Sequence, residues 1–286
     1  MDKNPSRTTL RRILRLYALY AKMDLAWLLR DTGFALMVMG TELIGNIAAI
    51  SGMVLLAARF SGIGSMSEAE VLLLTAFSTC CTGLLQLLFG GGNISFISRR
   101  IGRGQLEHML IMPLPLPAQL AVEGFIPFSG CGNFLSGLAL TAYALHRLEL
   151  APTPRLMLVF AGSMLVSVLL LLCCSYLFGS LAFWFPVAAE ELSDEVLTRM
   201  GELAPLPLSG LSACAILPLI TVLPTGLIAW FPTLALLGRA PLGLPQLLPL
   251  SILLLFFLLA KHFFQRGLMY HVTHGNNRYL PHGHRR

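Results

Sequence analysis

Two carboxylates, Glu42 and Glu123, stand inside long apolar runs of this chain. An ionisable group at membrane depth is costly, so each is a candidate for contact with a transported ion or substrate; the alternatives are a place near a helix end or a pairing across a subunit interface. Asn46, one helical turn beyond Glu42, and Asn133 add polar side chains in similarly apolar surroundings. His271, His274, His282 and His284 gather near the C-terminus in a polar stretch containing glycine, proline and asparagine, which reads as a solvated tail and not as a metal site. There is no H-E-x-x-H and no G-x-S-x-G, so no hydrolase constellation is legible. A nucleotide-binding P-loop needs G-x-x-x-x-G-K-[ST]. The only lysines are Lys3, Lys22 and Lys261, and Gly90-Gly91-Gly92 has no lysine after it. If ATP drives this protein, the ATP site is on another chain.

The strongest local pattern lies between Ile101 and Pro115. Gly104 opens a short helix; Leu106, Met109 and Leu110 fall on one apolar stripe; Glu107 and His108 point elsewhere; Pro113 ends it. A short amphipathic helix held between two long apolar segments suits a groove in a cytoplasmic partner, or alternatively the lipid headgroups.

The elements that must position these groups follow from composition. Of 286 residues, 56% are hydrophobic and 12% charged, and the mean hydropathy is +0.74. Soluble domains carry about one quarter charged residues, so water is not the main solvent of this chain. A bilayer span needs about 20 predominantly apolar residues. Such stretches occur near 33–58, 71–92, 118–146, 156–183, 212–236 and 246–266. The expectation is an all-α polytopic membrane protein with six spans. Pro218, Pro224 and Pro232 argue against one straight helix in 212–236. Residues 7–30 pattern as an amphipathic helix for the membrane interface, with Arg7, Arg11, Arg15 and Lys22 against Leu10, Ile13, Leu14 and Tyr17. The six cysteines lie in apolar stretches and read as small core residues.

Basic residues set the orientation. Residues 1–30, 93–115 and the C-terminal segment hold fifteen of the twenty Lys and Arg, which places both termini and the 93–115 loop in the cytoplasm. The net charge of +6 reflects this sidedness, not a nucleic-acid footprint. Residues 187–210 carry Glu190, Glu191, Asp194, Glu195 and Glu202 against Arg199. They form either a cytoplasmic amphipathic helix or a polar-faced fifth span, in which case 212–236 re-enters from the outside. The cost of carboxylates in lipid favours the first.

Several segments together resemble a known family. The 101–115 loop is similar to the I-x-x-G-x-L-[DE]-x-x-L-x-x-P-L-P pattern of ABC-2 type permeases. Tyr176-Leu177-Phe178-Gly179-Ser180-Leu181-Ala182-Phe183-Trp184-Phe185 resembles that family's fourth-span ending. Leu223-Pro224 with Trp230-Phe231-Pro232 resembles its late proline-rich segment, and Gln265-Arg266-Gly267-Leu268-Met269-Tyr270 its closing R-G-L-x-x-Y. In that family the late proline-rich segment re-enters from the outside, which supports the fifth-span alternative for 187–210. Met112, where the family often has a basic residue, and the acidity of 190–202 depart from the pattern. The resemblance implies a six-span, type V exporter-like membrane domain over 32–267, preceded by a cytoplasmic connecting helix over 1–31 and followed by a mobile tail over 268–286. It implies a coupling helix near 99–113, with Arg99, Arg100, Arg103, Gly104, Leu106, Glu107, Leu110 and Pro113 meeting the ATPase. Glu42, Asn46, Glu123 and Asn133 are then candidates for the pathway or a subunit interface. The expected partners are ABC ATPase subunits, which carry ATP and Mg, a second permease subunit, identical or homologous, and membrane lipid. The expected location is the bacterial inner membrane. The competing reading is an ion-coupled carrier or channel working alone through Glu42 or Glu123; an intramembrane enzyme ranks last.

Overall fold

A computed structural model describes residues 5–89, 101, 106–239 and 244–275. Their regular structure is helical, and no strand is present among the described residues. Helix α1 (Pro5–Arg30) is separated from α2 (Thr32–Arg59) only by Asp31, whose carboxylate accepts the Phe34 amide at 3.3 Å and starts the second helix. A tight turn leads into α3 (Glu68–Phe89). Then come α4 (Leu106–Leu110) and α5 (Leu116–Glu123), followed by α6 (Cys131–Arg147). Helix α7 (Pro154–Gly179) opens on a Thr153 cap and a proline at its first position, and closes in a 3₁₀ turn, Ser180–Phe183. Pro186 starts α8 (Pro186–Leu203). Three short helices follow, α9 (Ala213–Thr221), α10 (Thr225–Ile228) and α11 (Trp230–Leu236), before the long α12 (Leu244–His274).

Four of these helices are long and apolar enough to cross a membrane: α2, α3, α7 with its 3₁₀ turn, and α12 from Leu247. The expected third span, 118–146, is not one helix. It breaks between Glu123 and Cys131, where Gly124, Pro127 and Gly130 interrupt the ladder. In keeping with its prolines, the 212–236 stretch is not one straight helix: its helices are bent 70° from each other. That excursion starts and finishes at one end of the bundle. Ser209, just before it, accepts the Ser65 amide in the α2–α3 turn at 3.3 Å, and Arg239, just after it, pairs with Glu70 at the start of α3 at 2.6 Å.

Helix α8 runs the length of the bundle beside α7. Ala189, near its start, is buried in the cluster that holds Leu106, Leu116 and Phe264. Met200 and Ala204, near its finish, belong to the main apolar core with Met66 and Leu227. The sequence leaves 187–208 open between a cytoplasmic helix and a fifth span; in the structure 186–203 is one helix whose two ends join the two apolar clusters. On its exposed side Arg199 bridges Glu195 (2.7 Å) and Glu202 (2.9 Å), while Ser193 and Met200 turn inward. Helix α12 also runs past the expected 266 to His274, and His271 is buried.

The main core surrounds α3. Its partner α6 approaches so closely that a Cβ on Gly137 would lie 2.6 Å from the Cys80 amide nitrogen, and one on Gly83 would overlap the backbone of Phe134. Small residues that let backbones touch are how helices associate where lipid removes the hydrophobic drive.

Candidate functional site

Three of the segments that carry the family resemblance, far apart in the chain, meet at one end of the bundle. Leu106 is fully buried and Met109 nearly so, and both pack inward with Ile101, Leu116, Phe183 and Phe264. Leu106 therefore anchors α4 to its own chain instead of presenting it. The apolar groups that α4 and its exit turn present outward are Leu110, Ile111 and Met112, with Ile111 82% exposed. Pro113 lies in that exit turn, where the Leu114 amide donates to the Met112 carbonyl at 2.8 Å. Arg99, Arg100, Arg103 and Gly104 lie outside the described residues.

Polar contacts hold this turn in place. The buried Gln119 amide donates to the carbonyls of Met109 (3.0 Å) and Leu114 (2.6 Å), so α5 grips the far end of α4. Glu107 faces His271 of α12 at 3.3 Å. The Tyr176 hydroxyl donates to the Pro117 carbonyl at 2.9 Å and ties α7 to α5. Phe183 meets Phe264 and His271 edge-on, with centroids 5.5 and 5.9 Å apart, and a Cβ on Gly267 would stand 2.8 Å from Phe183 Cγ. Polar contacts thus run from α4 directly to α5 and α12, and through α5 to α7.

A second constellation lies deeper. Asn46 on α2 donates to Asn133 on α6; Asn133 donates to Gln86 on α3 at 2.6 Å; Gln86 donates to Glu42 on α2 at 3.0 Å. Three of the four polar residues singled out from the sequence are thus joined in one chain of side chains across three helices. The fourth, Glu123, is the last residue of α5, at the break. The member not anticipated is Gln86, the one amide side chain in the 71–92 stretch, which is the signal that marks it.

The break itself is capped from α1. Asp24, buried, accepts the amides of Phe128 (2.8 Å) and Ser129 (3.1 Å) and the Ser129 hydroxyl, while the Ile126 amide donates to the Leu87 carbonyl at 3.1 Å. Irregular backbone in a bundle of this kind persists only where other groups satisfy it. Tyr17 stacks edge-on against Phe125 at 5.0 Å, and burial pushes its phenol pKa up. Asp24 is the sole acid in α1, which is the signal that marks it.

With this geometry in view, comparison with protein families gives a match to the ABC-2 family transporter protein model over residues 43–275. The chain belongs to that family, a membrane component of transporters. No curated protein and no solved structure matches it.

Proposed function

We propose that this chain is the permease subunit of an ATP-driven ABC-2 exporter in the bacterial inner membrane. ATP and Mg are bound by a separate ATPase. The observation that carries this reading is the build of the 106–119 segment: a short helix locked to α5 and α12 from within, with Leu110, Ile111 and Met112 left bare on its outer side. A rigid knob with an apolar tip suits a groove in a partner that moves during ATP turnover. Six crossings then comprise α2, α3, the broken α5–α6 pair, α7, α8 and α12. The 213–236 excursion re-enters from the outer face, where Arg147–Glu68 (3.6 Å) and Arg239–Glu70 also lie. Helix α1, with Leu14, Met23 and Leu29 exposed among basic residues, rests in the inner interface. Both termini are cytoplasmic. A second permease, identical or homologous, completes the pathway, and it is a fitting neighbour for the charged stripe of α8, which does not suit lipid.

Closure of the ATPase pair displaces the knob, and the displacement repacks the helices between inward- and outward-open arrangements; a substrate is moved only if it binds the two differently. The test is purification of the tagged native complex in mild detergent, with mass identification of its members. A stoichiometric P-loop ATPase is expected, lost when Ile111 and Met112 are both changed to Asp while the permease stays folded. Isolation of a stable complex without an ATPase would sink the proposal. Leu106 is unsuited to this test, because an acid there would disrupt the subunit's own core.

A further inference from the structure

A groove of about 530 Å³ opens between α5, α7 and α12, toward the end that carries α4. Its walls are apolar: Ala121, Leu169, Cys173, Phe257 and Phe264. Tyr176 also lines it, but its hydroxyl is committed to the Pro117 carbonyl, so the ring is what it offers. The polar groups at the mouth are Lys261 and Gln265, one helical turn apart.

Lys261 is exposed, and among the described residues no carboxylate lies within ion-pair distance of it. It follows an almost wholly apolar run, Leu247–Ala260, and at 1.5 Å per residue it stands about 21 Å along the helix from Leu247. In a hydrocarbon core of about 30 Å this is inside the leaflet nearer α4, within reach of the headgroups for a snorkelling lysine stem. A cation with no carboxylate partner among the described residues at that depth calls for an anion supplied by the ligand. A soluble anion would leave the apolar walls bare, and a lipid of no net charge would leave the ammonium uncompensated.

We propose that this groove holds one anionic phospholipid, with its phosphate on Lys261, a hydrogen bond from Gln265, and an acyl chain along Leu169 and Phe257. Basic pockets between membrane helices on the cytoplasmic side are suited to such headgroups. The lipid touches α5, which continues directly from the α4 knob, and α12, whose end holds Glu107 through His271. It thereby braces the elements that receive motion from the knob. The leaflet assignment rests on the permease orientation proposed above; the headgroup preference does not.

The experiment is native mass spectrometry of the full-length chain, stripped of lipid in detergent and titrated with dioleoyl phosphatidylglycerol or dioleoyl phosphatidylcholine. The acyl chains are identical, so the headgroup alone is varied. One phosphatidylglycerol is expected to be retained, with a preference of about fivefold. Lys261→Gln should erase the preference, Lys261→Arg should keep it, and Ala121→Phe should weaken retention of both lipids. Equal retention of the two lipids by the native chain overturns the proposal without any variant, and so does an unchanged preference in Lys261→Gln. No ATPase enters the measurement, so failure here leaves the permease reading untouched, and failure of that reading leaves the lipid result standing.

Discussion

Helices α2 and α3 are neighbours, yet they are attached to the molecule in opposite ways. In the most apolar 18-residue window of α3, 61% of residues are buried; in that of α2, 6% are. Helix α3 is held by backbone contact with α6 through Gly83 and Gly137. Helix α2 reaches the main core near its C-terminal end, through Met53, Val54 and Ala57. Elsewhere α1 and α2 are attached by a few polar side chains that reach inward: Asp24 to the break, and Glu42 and Asn46 to Gln86 and Asn133. A joint of close backbones has many small contacts and no way to come apart in part. A joint of hydrogen bonds has few contacts, each of which can be exchanged. The hairpin of α3 and α6 is therefore the fixed frame, and the N-terminal pair is the element suited to shift or to receive a second subunit.

The largest expected effect breaks the frame. Gly137→Val places branched carbon where the Cys80 backbone already lies, and backbone cannot yield as a flexible side chain can. A loss of roughly 3 kcal/mol or more is expected, read as a collapse in the yield of folded protein and in the thermal midpoint in detergent. Gly52→Val on α2 is the matched control: nothing lies within 4 Å of its added carbon, and the change should stay within about 0.5 kcal/mol. Equal effects at the two positions would abolish the distinction between the joints.

Next in size is Asp24→Ala. It leaves the Phe128 and Ser129 amides without their acceptor at a break in the helix ladder, and unmade bonds of this kind cost about 1–3 kcal/mol each. The expected destabilisation is roughly 2–4 kcal/mol, with faster amide exchange confined to 124–130 and to α1. Asp24→Asn keeps an acceptor and should recover about half. Uniform exchange across the bundle would mean that α1 is not attached through this carboxylate.

Much of the frame was legible in the sequence. Apolar length alone placed 33–58, 71–92 and 156–183 within a few residues of α2, α3 and α7 with its turn. Length could not show that 118–146 breaks, although Gly124, Pro127 and Gly130 mark the place. Transfer cost could not decide 187–208, because a one-residue-at-a-time penalty ignores that Arg199 sits between two acids, Glu195 and Glu202. The resemblance located the knob, but periodicity could not say which side of a five-residue helix faces inward, so Leu106 was assigned to the partner. Links such as Asp24–Ser129, Glu107–His271 and Glu70–Arg239 join residues more than a hundred positions apart. No local pattern encodes them.

The smallest effect sharpens the comparison most. Asn133 is the hub of the polar chain: it accepts from Asn46 and donates to Gln86. Interhelical hydrogen bonds in membranes contribute about 0.6–2 kcal/mol each, because the loosened helix finds other partners. Asn133→Ala should therefore cost roughly 1–3 kcal/mol, well below the glycine substitution one turn away on the same helix. Asn46→Ala combined with it should show less than the sum of the two, since both remove one bond. Helix α2 should then exchange faster while α3 and α6 keep their protection. If α3 loosened with it, the frame and the N-terminal pair would be a single cooperative unit, and the polar chain would belong to the core and not to a movable joint.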